Sequence, residues 1–218
     1  MSKTVPLSTP SPAPAAVRTR TGLLLAGATT VLGGAVQADG GILTQAYRGV
    51  SPVAEERLTF PWEGAAAVAT TLTWGITQLM LVGALLVFAR SGAVGPGRAG
   101  RTGAALAVAG GAAFAGGHAL TLLFLDAVVD DPVGVAVIAV FAAGGLLNLV
   151  GFLMAGIATL RAGRWSSWRR FTPLGVAVGM VAVMPLQFTP LLPLSVAVYS
   201  AGIVALGLAM VFEGAESQ

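Results

Sequence analysis

Three side chains able to relay a proton or hold a ligand stand inside long apolar runs: Gln78, the sole histidine His118 and the sole asparagine Asn148. Thr71 and Trp74 precede Gln78 by seven and four residues, which puts all three on one helical face. Asp126 lies two helical turns beyond His118. An imidazole titrates near neutral pH and can shuttle protons or bind a ligand. Polar groups within a bilayer are costly, so they are the first functional candidates. The competing reading is structural, with a neutral imidazole and two amides hydrogen-bonding across helices as glue. The sequence favours that plainer reading.

Several chemistries are excluded. The only lysine, Lys3, lies outside the apolar runs, so no Schiff base can form among them. One histidine rules out bis-histidine haem, and a His/Met pair using Met80 or Met154 has little to recommend it. The absence of cysteine removes thiolate metal sites and Cys nucleophiles. No Walker loop, HExxH or GxSxG motif is present. Asp126, Asp130 and Asp131 around Pro132 read as a solvated turn rather than a cation site. No metal or cofactor is expected, and enzymatic activity is disfavoured.

The elements that must position these residues follow from composition. With 56% hydrophobic and 10% charged residues and a mean hydropathy of +0.84, the chain departs far from soluble domains, where roughly a quarter of residues are charged. A membrane-spanning helix needs about 20 mostly apolar residues. Six stretches qualify, near residues 21–45, 63–88, 103–126, 132–160, 172–189 and 191–212. They are continuous rather than alternating, which argues against a barrel. The expected fold is all-α: an integral membrane helical bundle spanning 21–212, between a disordered N-terminal tail at 1–20 and a short C-terminal tail at 213–218.

Charge sets the orientation. If the N-terminus is inside, ten of the twelve Lys and Arg residues fall inside and only Arg48 and Arg57 fall outside. Most acids fall on the outer side, Glu213 and Glu216 excepted. This bias selects cytoplasmic N- and C-termini, six spans and a cell-membrane location. The loop RAGRWSSWRRFTP then reads as a cytoplasmic anchor. Arg161, Arg164, Arg169 and Arg170 face anionic headgroups, Trp165, Trp168 and Phe171 sit at the interface, and Pro173 fits the first turn of the fifth helix. Nucleic-acid binding is not expected, because the cations are split among short segments beside the membrane. In the longest connection, residues 45–64, Phe60 and Trp62 flanking Pro61 read as an anchor for the second helix.

A cleavable signal peptide ending at Val36, Gln37 and Ala38 is an alternative for the first run. Against it, RTG at 20–22 recurs at 101–103, and Arg170 with Pro173 opens a third outward helix similarly. The inward helices also end alike, in FARSG, TLRAG and VFEGA. Three parallel helical-hairpin repeats would explain this.

Small residues recur every four positions. Examples are Gly22, Ala26, Thr30, Gly34 and Ala38; Gly103, Ala107, Gly111 and Ala115; and Ala197, Ala201, Ala205 and Ala209. Such faces would pack helices closely, within the chain or against a protein partner or second copy.

At RTGLLLAG, TFPWEG and RAGRWSSWRRFTPL, the chain resembles uncharacterised small six-helix inner-membrane proteins of GC-rich Gram-positive (actinobacterial) bacteria. The resemblance implies a membrane location and carries no functional residues. The functional expectation is a non-enzymatic membrane component, either an accessory subunit or a small lipophile-binding protein. The alternative is a permease-like transporter with its polar site at the level of Gln78, His118 and Asn148.

Overall fold

A computed structural model describes residues 14–187 and 189–216, with side chains described from Arg20. Six α-helices follow in order: α1 (Pro14–Arg48), α2 (Gly64–Arg90), α3 (Arg98–Leu123), α4 (Pro132–Ala162), α5 (Thr172–Leu186) and α6 (Leu192–Glu216). A 3₁₀ turn, Ser167–Phe171, precedes α5. The expected N-terminal tail is helical from Pro14, and its residues 1–13 lie outside the described residues. The C-terminal tail expected from residue 213 continues α6 as far as Glu216. Prolines mark the starts of α4 and α5, where the missing N–H has no helical partner to lose. Gly163 closes α4 in the left-handed conformation, the usual reason for glycine there.

Five helices, α1 from Arg20 onward, α2, α3, α4 and α6, are long and apolar enough to cross a membrane. The fifteen-residue α5 rises only about 22 Å, against a hydrocarbon core of about 30 Å.

Each helix packs antiparallel on its chain neighbours, and α6 returns to α1. The result is a closed ring. One end of this ring carries Arg20, Arg90, Arg98, Arg101, Arg161, Arg164, Arg169 and Arg170. The other carries Glu55, Glu56, Asp126, Asp130 and Asp131. These are called the basic and acidic ends below.

Two of the six seams, α1–α6 and α3–α4, are extended glycine zippers, and α5–α6 is close at two points, where a Cβ at Gly179 would lie 2.8 Å from the Tyr199 Cα and one at Gly202 3.0 Å from that of Val176. A Cβ at Gly27 would lie 2.7 Å from the Gly207 carbonyl oxygen, one at Gly34 3.1 Å from that of Ser200, and one at Gly41 2.5 Å from that of Pro193. In the α3–α4 seam, a Cβ at Gly103 would lie 2.6 Å from the Ala155 nitrogen and one at Gly110 2.7 Å from the Gly144 oxygen, while Gly151 abuts the Ala107 nitrogen. Backbone meets backbone, so no side chain larger than hydrogen fits.

The spacing is seven, not the four expected. Gly27, Gly34 and Gly41 face Gly207, Ser200 and Pro193, while Gly103 and Gly110 face Gly151 and Gly144. A step of four residues drifts about 40° around a helix, whereas seven drifts only about 20°. The expected stripes therefore meet the seams only in part: Thr30 and Gly34 lie against α6, and Gly103 and Ala107 against α4, while other members turn away. Gly22 touches only Val87, Gly111 turns to Val82 of α2, and Ala201 is exposed.

Candidate functional site

Inside the ring lies a cavity of about 810 Å³ to which all six helices contribute. Its floor is set by the deepest residue from each helix: Gln37, Gln78, Phe114, Phe141, Met180 and Tyr199. Beyond them, toward the basic end, a continuous core including Leu85, Phe88, Phe152, Trp165 and Leu206 fills the ring. None of these core residues lines the cavity. The space instead continues to the acidic end, where Arg48, Glu55, Arg57, Trp62, Asp130 and Thr189 frame its mouth.

Two glycines, Gly117 on α3 and Gly40 on α1, prepare the place of His118. Gly117 leaves room for the Phe141 ring, which a Cβ there would meet at 2.7 Å, and Gly40 does the same for the Trp74 indole at 2.6 Å. The imidazole then sits edge-to-face against both, with ring centroids 5.0 Å from Phe141 and 5.8 Å from Trp74. Such contacts fix ring orientation at about 0.5–1.5 kcal/mol each. Among the described residues no side chain or carbonyl hydrogen-bonds His118 or the amide of Gln78. Both line the cavity, and Gln78 is 5% exposed. Nearby, Gln37 donates to the Thr77 hydroxyl at 3.2 Å, and Thr71 adds another polar wall group.

Asn148 stands apart. Fully buried, it donates through Nδ2 to the Ala107 carbonyl at 3.2 Å and accepts from the Tyr199 hydroxyl at 2.9 Å. It ties α3, α4 and α6 together and does not line the cavity. The expectation that Gln78, His118 and Asn148 meet at one level is therefore corrected. Gln78, His118 and Trp74 share the cavity, while Asn148 points into the α3–α4 seam, where Gly110 makes room for it. Asp126 also leaves the site. Its side chain is almost fully exposed and pairs with Arg57 at 3.2 Å.

That pair belongs to a lid. Leu58 N–H donates to the Ala127 carbonyl at 3.0 Å and Val129 N–H to the Glu56 carbonyl at 2.7 Å, joining the α1–α2 and α3–α4 loops over the mouth. Tyr47 stacks on Trp62 at 4.8 Å, Arg48 covers the Phe60 ring at 4.6 Å, and Arg48 pairs with Glu55 at 3.2 Å. Phe60 and Trp62 thus organise the lid, with Trp62 donating to the Thr44 hydroxyl at 3.3 Å.

At the basic end, Arg161, Arg164 and Arg170 are exposed, as are Trp168 and Phe171. Arg169 and Trp165 are not, which corrects their reading as lipid contacts. Trp165 is buried against Phe88 at 5.6 Å. Arg169 turns inward to meet Glu213 at 3.1 Å and Glu216 at 2.7 Å, and donates to the Ser166 hydroxyl at 2.6 Å. The 3₁₀ turn is thereby clasped to α6.

Sequence reasoning missed Gln37 and Tyr199 as cavity residues. The signal was a glutamine and a tyrosine within apolar runs, the same signal that singled out Gln78.

No protein-family model matches the chain, and no curated protein or solved structure is similar to it.

Proposed function

We propose that the protein is a six-span cell-membrane protein, with both termini cytoplasmic, that binds a small, largely apolar molecule from the outer side. The observation carrying this reading is the cavity within the ring. Its volume lies in the range of small-molecule sites, with apolar walls and a few convergent polar groups. The orientation rests on the arginines gathered at the basic end, which the positive-inside bias assigns to the cytoplasm. Exposed Arg90, Arg98, Arg101, Arg161, Arg164 and Arg170 then face anionic headgroups. For α5 to cross as a sixth span, the 3₁₀ turn and residues 187–191 must complete its path.

The three-hairpin repetition draws no support from the packing. Its tight seams would recur in every hairpin; α3–α4 and, at Gly179 and Gly202, α5–α6 have them, but α1–α2 does not, and the other extended zipper is α1–α6. The zippers take up part of the small-residue faces within the chain, while Ala201 stays exposed.

A permease-like reading is favoured by one feature, the half-depth floor with Gln78 and His118 exposed to the cavity. It requires the basic end to open, and therefore the Arg169 clasp to release. Liposomes separate the readings. A binder retains ligand without moving it across, whereas a permease shows solute flux. Reporter fusions after residues 50, 95, 129 and 165 test the topology and should alternate outside, inside, outside, inside. Outside signals at 95 and 165 would refute it.

A further inference from the structure

The chemistry of the cavity narrows what it can hold, given the binding role proposed above. Every floor residue is uncharged, and the arginines at the mouth already pair with Glu55 and Asp126. An ionic ligand would find no free counter-charge at depth, where its desolvation would be severe. The walls are flat and aromatic on one side, with Trp74, Phe114 and Phe141. On the other they are flexible and apolar, with Met180, Met184 and Val196. Aromatic faces suit a planar ring, and methionines adapt to an irregular hydrocarbon substituent. Between them, Gln78 and His118 present N–H groups that no described residue uses. Both face the open cavity, so a ligand that displaces water from them must replace those hydrogen bonds, each one left unmade being unfavourable by about 1–3 kcal/mol. A carbonyl oxygen on the ring would satisfy each.

We infer that the cavity takes a neutral planar ring bearing carbonyl acceptors and a hydrocarbon substituent, the chemistry of a membrane quinone headgroup. Its carbonyls meet the Gln78 amide and the His118 imidazole, and its ring lies against Trp74 and Phe141. The hydrocarbon substituent lies along the opposite wall, against Met180, Met184 and Val196.

The test titrates the full-length protein in nanodiscs, by calorimetry, with menadione and with methylnaphthalene, which has the same ring system without carbonyls. Empty nanodiscs give the partitioning background. Menadione should bind about tenfold more tightly, a difference of about 1.4 kcal/mol. His118→Phe and Gln78→Leu should each erase most of that preference while leaving methylnaphthalene binding and the melting temperature close to wild type. Equal affinities in the wild-type protein would overturn the ligand class and leave the cavity's binding role standing. A preference that survives both substitutions would overturn the assignment of the two donors. Failure of both compounds to bind would overturn the binding role as well.

Discussion

The two glycine zippers and the two helices between them solve different problems with similar composition. In α1–α6 and α3–α4, backbones touch along heptad-spaced glycines, and Asn148 in the α3–α4 seam has both ends occupied. Helices α2 and α5 close the ring on opposite sides. They bring Thr71, Trp74 and Gln78 from one side, and Met180, Val183 and Met184 from the other, to the cavity. Close packing excludes ligands from the zippers. Larger side chains hold α2 and α5 far enough apart to leave a space. Polarity alone therefore does not mark function within a membrane; polarity beside unfilled volume does.

Substitutions should separate the two regions, most sharply in the zippers. Gly151→Leu drives a side chain into the Ala107 backbone and should destabilise by about 3 kcal/mol or more, because overpacked seams have no soft neighbour to yield. Gly83→Leu, on the same ring but with nothing within 4 Å of its would-be Cβ, should leave the melting temperature nearly unchanged. A comparable loss from both would dissolve the distinction.

Next in size is the clasp at the basic end. Breaking a fully buried ion pair removes roughly 3–5 kcal/mol. The Glu216 side chain is 63% exposed, so Arg169→Gln should remove about 2 kcal/mol, discounted below that range for solvent screening. Thermal unfolding in detergent is the check, and high salt should narrow the gap between the two proteins by screening the exposed arm.

Asn148→Leu should follow. It removes the extra bond to the Ala107 carbonyl, which keeps its place in the α3 ladder, and takes the acceptor from the buried Tyr199 hydroxyl, for about 1–2 kcal/mol on the scale of interhelical hydrogen bonds. Tyr199→Phe breaks only one of those bonds and should show about 0.6 kcal/mol. His118→Gln forfeits two ring contacts but no protein hydrogen bond and should shift stability by about 1 kcal/mol. If His118→Gln unfolds the protein while Asn148→Leu does not, the roles assigned to the two regions are reversed.

Much of this fold was legible in the sequence. Long apolar runs broken by Pro61, Pro132 and Pro173 located the helices, because an unpaired backbone cannot be left in hydrocarbon. The uneven distribution of arginine separated the two ends. The seams were less legible, since in a chain with 30 glycines almost any spacing finds matches, and only the angular drift of a helix selects seven over four. His118 and Gln78 stood out because a polar group in an apolar run has few roles. That Asn148 was already satisfied was hidden, because its partners are a carbonyl on α3 and a tyrosine on α6. Arg169 was misplaced for a similar reason. A one-dimensional charge count cannot see the end of α6 return to meet the α4–α5 turn.

The central claim is a cavity open to the outer surface and closed toward the cytoplasm. The chain contains no cysteine, so single thiols can be placed without background. Thr71→Cys, Gln78→Cys and Leu85→Cys lie along one helix, the first two lining the cavity and the third buried below its floor. A membrane-impermeant maleimide added to intact cells should label Thr71→Cys readily, Gln78→Cys more slowly and Leu85→Cys not at all. Labelling of Thr71→Cys only after the cells are opened would contradict the orientation. Equal labelling of all three would contradict the closed end, and no labelling of Thr71→Cys in folded protein under either condition would contradict the open cavity itself.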